Sequence, residues 1–197
     1  TIFKSIETLL WFSVGLELKT AGPVLSLNES RFFSTPLKTI FSTPFTISIW
    51  FRTATSGVIL GQENGSTPGT GSGWNPALYV DTNGKLRISC FWGGSTTNQS
   101  VSTASVNDNK WHLVNVTFES TTHKSYIDGI LFDTITKTQS NYSATYYYYL
   151  GSGKVAAWPS AGNMTLAGNI SNFIFYNKAL TAQEVLQNYH ATKGRYK

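Results

Sequence analysis

Along most of this chain apolar residues recur at every second position, and only near the end do they recur at every third or fourth. The plainest run sets Phe45, Ile47, Ile49 and Phe51 against Thr46, Ser48, Trp50 and Arg52. That is the pattern of a strand with one face in a core and the other polar apart from Trp50. Residues 110–133 (K-W-H-L-V-N-V-T-F-E-S-T-T-H-K-S-Y-I-D-G-I-L-F-D) predict three antiparallel strands in succession. Trp111 and Leu113 give way to Val114, Val116 and Phe118, which reads as one strand with a slip of phase at its start. Tyr126 and Ile127 then run into Asp128-Gly129, a dipeptide suited to the positive φ angles of a type I′ turn, and the chain returns through Ile130, Leu131 and Phe132.

Residues 57–62 predict a further strand, and residues 77–81 and 85–91 a hairpin about Asn83-Gly84. In the tyrosine run, strand geometry sends Tyr146 and Tyr148 to one face and Tyr147 and Tyr149 to the other. A long strand is expected over 164–176, with Ile170, then Phe173 and Phe175, in buried positions. Weaker alternation at 9–19 suggests an opening strand, and 24–27 with 31–34 a small hairpin. One helix is predicted: Thr181 as N-cap, Glu184 as its capping-box partner, Leu180 and Val185 as the hydrophobic staple, and Val185, Leu186 and Tyr189 as the apolar stripe. Residues 63–75 (E-N-G-S-T-P-G-T-G-S-G-W-N) form a loop too polar to pack, of the length that is more often functional or mobile. The pattern implies an all-β chain of a dozen or so strands in two antiparallel sheets packed as a sandwich, with one short C-terminal helix.

Composition narrows this. The 197 residues suit a single domain over 1–197, and charged residues are only 13% of the chain, about half the usual share. A single cysteine excludes an internal disulfide, so packing must supply the stability. The net charge is +5, but the basic residues are scattered, and Lys193, Arg195 and Lys197 read as a solvated basic tail over 190–197 rather than a nucleic-acid surface. No apolar run is long enough for a membrane-inserted helix. A first residue of Thr rather than Met suggests a domain excised from a longer product.

Two strings carry a resemblance. A Trp opening a strand, followed about fifteen residues on by Y-I-D-G, and the closing A-G-N-I-S-N-F-I-F-Y-N-K-A-L-T-A-Q-E-V-L-Q-N-Y, are similar to laminin-G-like domains of the concanavalin-A-like lectin/glucanase jelly rolls. The resemblance spans 44–189 and implies a jelly-roll order of strands, with an opening strand beside the closing one. It also marks Trp50 and Trp111 as structural. The ending Q-N-Y-H-A-T-K-G-R-Y resembles such domains in phage and other viral structural proteins, which implies an extracellular or virion-surface setting and host attachment.

Hydrolysis in related jelly rolls needs two carboxylates about 5 Å apart, but the acidic residues here are dispersed, and Asp128 belongs to the turn. Cys90 is in phase with Leu86 and Ile88 and reads as a core residue, while His112, His123 and His190 lack zinc spacing. The resemblance admits calcium, yet Asn28/Glu29, Glu63/Asn64, Asp81 and Asp108/Asn109 never form the acidic cluster that Ca²⁺ prefers. Binding remains. Sugars are held by aromatic faces together with amides and hydroxyls, and the loops supply Trp74, Asn75, Trp92, Tyr147, Tyr149, Trp158 and Asn163. Trp74 and Trp158 stand out because Gly, Pro and Ser surround them, leaving little local core. Of seven N-x-[S/T] sequons, those at Asn115 and Asn169 fall in strands and do not establish secretion. The reading is a non-catalytic module that recognises a glycan or cell-surface receptor. Its alternative is an assembly domain contacting its own copies or neighbouring subunits, with a glycoside hydrolase third.

Overall fold

The computed structural model describes residues 25–27, 44–89, 99–137 and 147–197. The run at 9–19, the second half of the small hairpin at 31–34, Cys90 and Trp92 lie outside the described residues. Among those described the strands are β1 (Leu25–Leu27), β2 (Phe45–Thr53), β3 (Gly57–Glu63), β4 (Trp74–Val80), β5 (Lys85–Ile88), β6 (Ser100–Ser105), β7 (Trp111–Glu119), β8 (Thr122–Ile127), β9 (Ile130–Thr136), β10 (Tyr147–Leu150) and β11 (Gly168–Tyr176), followed by helix α1 (Ala182–Thr192). They form a six-stranded sheet in the order β1-β11-β2-β7-β8-β9 and a five-stranded sheet in the order β10-β3-β4-β5-β6. Every pairing among the described strands is antiparallel, and β1, the first half of the expected hairpin, lies against the closing strand β11.

The core lies between the sheets. Phe45, Ile47, Ile49 and Phe51 of β2 and Val114, Val116 and Phe118 of β7 meet Ile59, Leu78, Val80, Leu86 and Ile88 from the facing sheet. The second face of β2 is not open to solvent, as its polarity suggested: Thr46, Ser48 and Trp50 are also buried, because α1 lies over that side. This accounts for the apparent slip in β7. Leu113 sits opposite Trp50 on the helix side, while Val114 and Val116 face the core, so the strand keeps its period and Leu113 is the apolar residue of a second buried face. In β11 the phase does change, through an irregularity between Ser171 and Ile174 where Asn172 has φ 46°. That bulge carries the buried set from Ile170 to Phe173 and Phe175.

The Asp128-Gly129 turn has the expected φ angles of 52° and 83°. A side chain on Gly129 would collide with Leu186 and Tyr189, so this hairpin tip is docked against the helix. In the β4–β5 turn only Gly84 takes a positive φ, and Asp81 instead anchors the loop by accepting the N–H of Asn83 and Lys85. The helix begins as its sequence specifies, with the reciprocal capping box between Thr181 and Glu184, and Leu180 and Val185 pack with Tyr126. Leu186, expected in the apolar stripe, is 40% exposed. The C-terminal segment is not a free tail either. Lys193–Arg195 form a 3₁₀ turn, and the Tyr196 ring stacks 4.2 Å from that of Trp50.

Asn115 is opposite Ser48 on β2 and Tyr126 on β8, beneath the helix. It has no exposed surface, and neither its amide nitrogen nor its oxygen has a hydrogen-bond partner among the described residues. This rules out a glycan at that sequon in the folded chain. An unpartnered buried amide costs roughly 1–3 kcal/mol. Asn115→Val, of similar volume and suited to a strand, is therefore expected to raise the unfolding free energy by about 1–2 kcal/mol. Chemical denaturation would measure it; a loss of stability would mean that the amide has a hydrogen-bonding role.

Candidate ligand-binding site

β10, β3 and β4 are neighbours in the five-stranded sheet, and their pairing sets Tyr147 opposite Glu63 and Glu63 opposite Trp74. Residues directly opposite share a face, so two aromatic rings flank a carboxylate on the outer face, about 10 Å apart across three strands. Glu63 is fully buried. Its carboxylate accepts the backbone N–H groups of Gly69 at 2.8 Å, Gly71 at 3.2 Å and Lys154 at 2.5 Å. The Gly/Ser/Thr loop that follows it is therefore packed, contrary to its polar composition, with its donors converging on one anion. The base of the loop is closed by Asn64, whose side chain accepts from Gly73 and donates to Ser72. Ser66, Thr67, Thr70 and Ser72 are left exposed, so the loop folded onto Glu63 presents hydroxyl-bearing residues to solvent.

Glu63 also fastens the second loop, residues 151–167. Lys154 donates from its ammonium to the Gly71 carbonyl at 2.9 Å and stands 3.9 Å over the Trp74 ring, while the Trp74 indole donates to the Ala156 carbonyl. This loop lies so close to β3 that a side chain on Gly61 would strike the backbone of Ser152 and Gly153, which is why small residues are needed there. Ala157 and Ser160 hold left-handed φ angles of 64° and 49°, which bend the loop about Trp158.

The expected site residues separate into three groups. Trp74 and Tyr147 are half-buried and frame the site. Tyr149 forms its floor: it is fully buried, its ring is 6.5 Å from that of Tyr147, and its hydroxyl donates to the Gly65 carbonyl. Burial first, then the nearby Glu63 and Tyr147 charges, push this hydroxyl up to about 12. Trp158 does have a core to bury against. It is 6% exposed and packs with Val58, Tyr79 and Val155, with Trp74 resting on that cluster. Asn75 is fully buried and spends its amide on Ser89 and Gln62, so it braces the site from within. Asn163 is exposed and donates to the Ser56 carbonyl, beyond the opposite end of β3 and about 20 Å along the strand from Trp74. Trp92 lies outside the described residues.

Glu63 and Lys154 have no motif that marks them in the sequence. The only available signal was an acid closing a strand immediately before a loop rich in N–H donors.

Three further carboxylates are engaged with internal partners. Asp128 and Asp108 bracket His112, at 2.8 Å from Nδ1 and 3.1 Å from Nε2, so an imidazole separates them. Asp81 pairs with Arg87 at 2.6 Å. Among the described residues no three acidic, His or Cys groups cluster as a metal site would require. With Glu63, Asp81 and Asp108 taken by internal partners, these residues do not fit calcium.

A family model described as the concanavalin A-like lectin/glucanases superfamily, of laminin G type, matches residues 28–186, and the chain belongs to that family. No curated protein matches it significantly. The carbohydrate-binding module (CBM40) of a Ruminococcus gnavus IT-sialidase superposes with TM-score 0.60 at 17% identity, over 85% of this chain and 97% of that one; the same module has been solved with α2,3-sialyllactose. Domains LG4-5 of the mouse laminin α1 chain give 0.50 at 18% identity over 82% of this chain and 40% of theirs. Trypanosoma rangeli sialidase with sialic acid gives 0.54 at 19% identity over 76% of this chain. The chain spans only 23% of that enzyme. At these identities the likeness is one of fold.

Proposed function

We propose that this chain is a non-catalytic lectin-like module that binds carbohydrate on the outer face of the five-stranded sheet. The observation that carries the reading is the row Tyr147–Glu63–Trp74, which sets a partly open tyrosine ring and the exposed part of an indole held beside the Lys154 ammonium next to a hydroxyl-rich loop fixed by a buried carboxylate. Rings supply the stacking surface that a sugar's C–H face requires, and loop hydroxyls and carbonyls can meet its OH groups as donors or acceptors. Preorganisation by Glu63 limits the ordering entropy lost on binding. Support also comes from the module that shares this fold over nearly its whole length and binds a sialylated sugar. A cell-surface glycan would suit an extracellular module. Attachment of a virion to its host is a finer version of the same activity, resting on the resemblance of the closing string.

The test is an array of immobilised glycans probed with the purified chain and its variants. Trp74→Ala and Tyr147→Ala should each weaken binding on the order of tenfold, as loss of one stacking ring does; Tyr147→Ala should shift the thermal midpoint little, whereas Trp74→Ala should also lower it, because the indole rests on the Val58–Tyr79–Trp158 cluster and donates to the Ala156 carbonyl. Trp158→Ala should instead cost about 3–5 kcal/mol of stability as a core truncation. Binding that survives both ring truncations would place the site elsewhere, and silence across the array would favour a protein receptor.

A further inference from the structure

Five large apolar residues are exposed among those described, and three of them, Ile130 at 69%, Leu131 at 45% and Leu186 at 40%, gather at one end of the six-stranded sheet. The Asp128-Gly129 turn brings them together, since it lies so close to the helix that a side chain on Gly129 would meet Leu186 and Tyr189. Leu131 sits opposite Tyr126, on the side of the sheet that α1 covers. Along the helix, Leu186, Tyr189 and Lys193 fall at i, i+3 and i+7, on a single face, and the Lys193 ammonium stands 5.4 Å over the Tyr189 ring. Arg195 and Lys197 follow in the anchored C-terminal turn, exposed like Lys193. The nearby acids are already paired: Glu184 with Lys178 at 2.9 Å, and Asp128 with His112 at 2.8 Å. Asp133 on β9 holds the backbone N–H of Thr134.

The geometry points to a peripheral docking surface for an anionic lipid bilayer, in which Ile130, Leu131 and Leu186 enter the headgroup boundary while Lys193, Arg195 and Lys197 contact anionic headgroups. Apolar tips beside clustered cations are the combination such surfaces bind. A second copy fits worse, because a two-fold interface sets a patch against itself and would oppose the cations. A soluble polyanion would leave the apolar trio without a role. Docking of this kind needs no spanning segment, and among the described residues no helix is long and apolar enough to be one. The surface is distinct from the proposed glycan site, which lies on the other sheet.

The test is co-sedimentation of the full chain with vesicles of phosphatidylcholine alone or with about 30% phosphatidylserine, at low and raised salt. Binding should require phosphatidylserine and fall with salt. Ile130→Ser with Leu131→Ser, and separately Lys193→Glu, should each lower the bound fraction at least about tenfold. These side chains are exposed, so the thermal midpoint should hold. Lys85→Glu, with the same net charge but on the other sheet, should leave binding nearly unchanged. The inference is overturned by no sedimentation, by equal binding to neutral vesicles, or by equal losses from Lys85→Glu and Lys193→Glu. It is also overturned if binding survives the loss of the apolar tip and heparin competes it away, which would identify a soluble polyanion as the partner.

Discussion

Glu63→Gln is expected to lower the unfolding free energy by about 3 kcal/mol or more and to abolish glycan binding even where the chain remains folded. The wild-type carboxylate receives N–H groups from Gly69, Gly71 and Lys154. A glutamine keeps one acceptor oxygen but turns an NH₂ group towards donors, leaving buried N–H groups unpaired at roughly 1–3 kcal/mol each. In a chain of this size that amounts to a fall in thermal midpoint of roughly 6–12 °C. The functional loss follows from the same atoms. Once the carboxylate no longer holds them, the 64–73 loop and Lys154 need not stay beside Trp74. Calorimetry and the glycan array on one preparation would separate the two effects. A variant of wild-type stability would show that Glu63 does not anchor the loops.

Acid should destabilise the fold well above the range in which carboxylates titrate. His123 is buried, 1% exposed, with its ring stacked 4.4 Å from Phe118 in the core. Burial, reinforced by the charge of Lys137, pushes its pKa down from 6.5 to about 3. Between those values the unfolded chain binds a proton that the folded chain does not, so stability falls as the pH drops below 6.5, by about 1.4 kcal/mol per pH unit. His112 acts in the opposite sense. Burial disfavours its cation, but Asp128 and then Asp108 outweigh that and raise its pKa above 6.5. Its contribution is therefore complete below pH 6.5 and fades as the pH climbs through the raised value. The thermal midpoint should peak near neutrality and fall on both sides. His123→Phe, which keeps the stacked ring and removes the titration, should flatten the limb between about pH 4.5 and 6.5 while leaving the His112 limb in place. An unchanged acid limb would assign the sensitivity to other groups.

How far the sequence was legible depended on whether a feature was local. The Asp128-Gly129 turn, the Thr181/Glu184 capping box and the alternation of β2 each reside within a few residues, and the structure has all three. Features that depend on a distant element did not show. Trp50 reads as the exception on a polar face because the helix that covers that face lies more than a hundred residues away. Trp74 and Trp158 look alike in sequence, each set among Gly, Pro and Ser. Only the fold of the 151–167 loop onto Val58 and Tyr79 separates the plug from the rim. Glu63 read only as a calcium candidate, and its anchoring role stayed hidden because it joins the loop that follows it to Lys154, about ninety residues away. The basic residues of the C-terminal segment are solvated as read, but the segment looked like a free tail because nothing in its own residues reveals that Tyr196 finds Trp50.

The most direct test of the carbohydrate reading is a two-dimensional NMR titration of the labelled chain with the best-bound glycan, following the six indole N–H signals. The Trp74 indole and the amides of the 64–73 loop should shift together and saturate together, with the Trp50 and Trp111 signals unmoved. Saturable shifts confined to Trp50 and Trp111, with Trp74 silent, would contradict the site and move ligand binding to the helix side of the molecule.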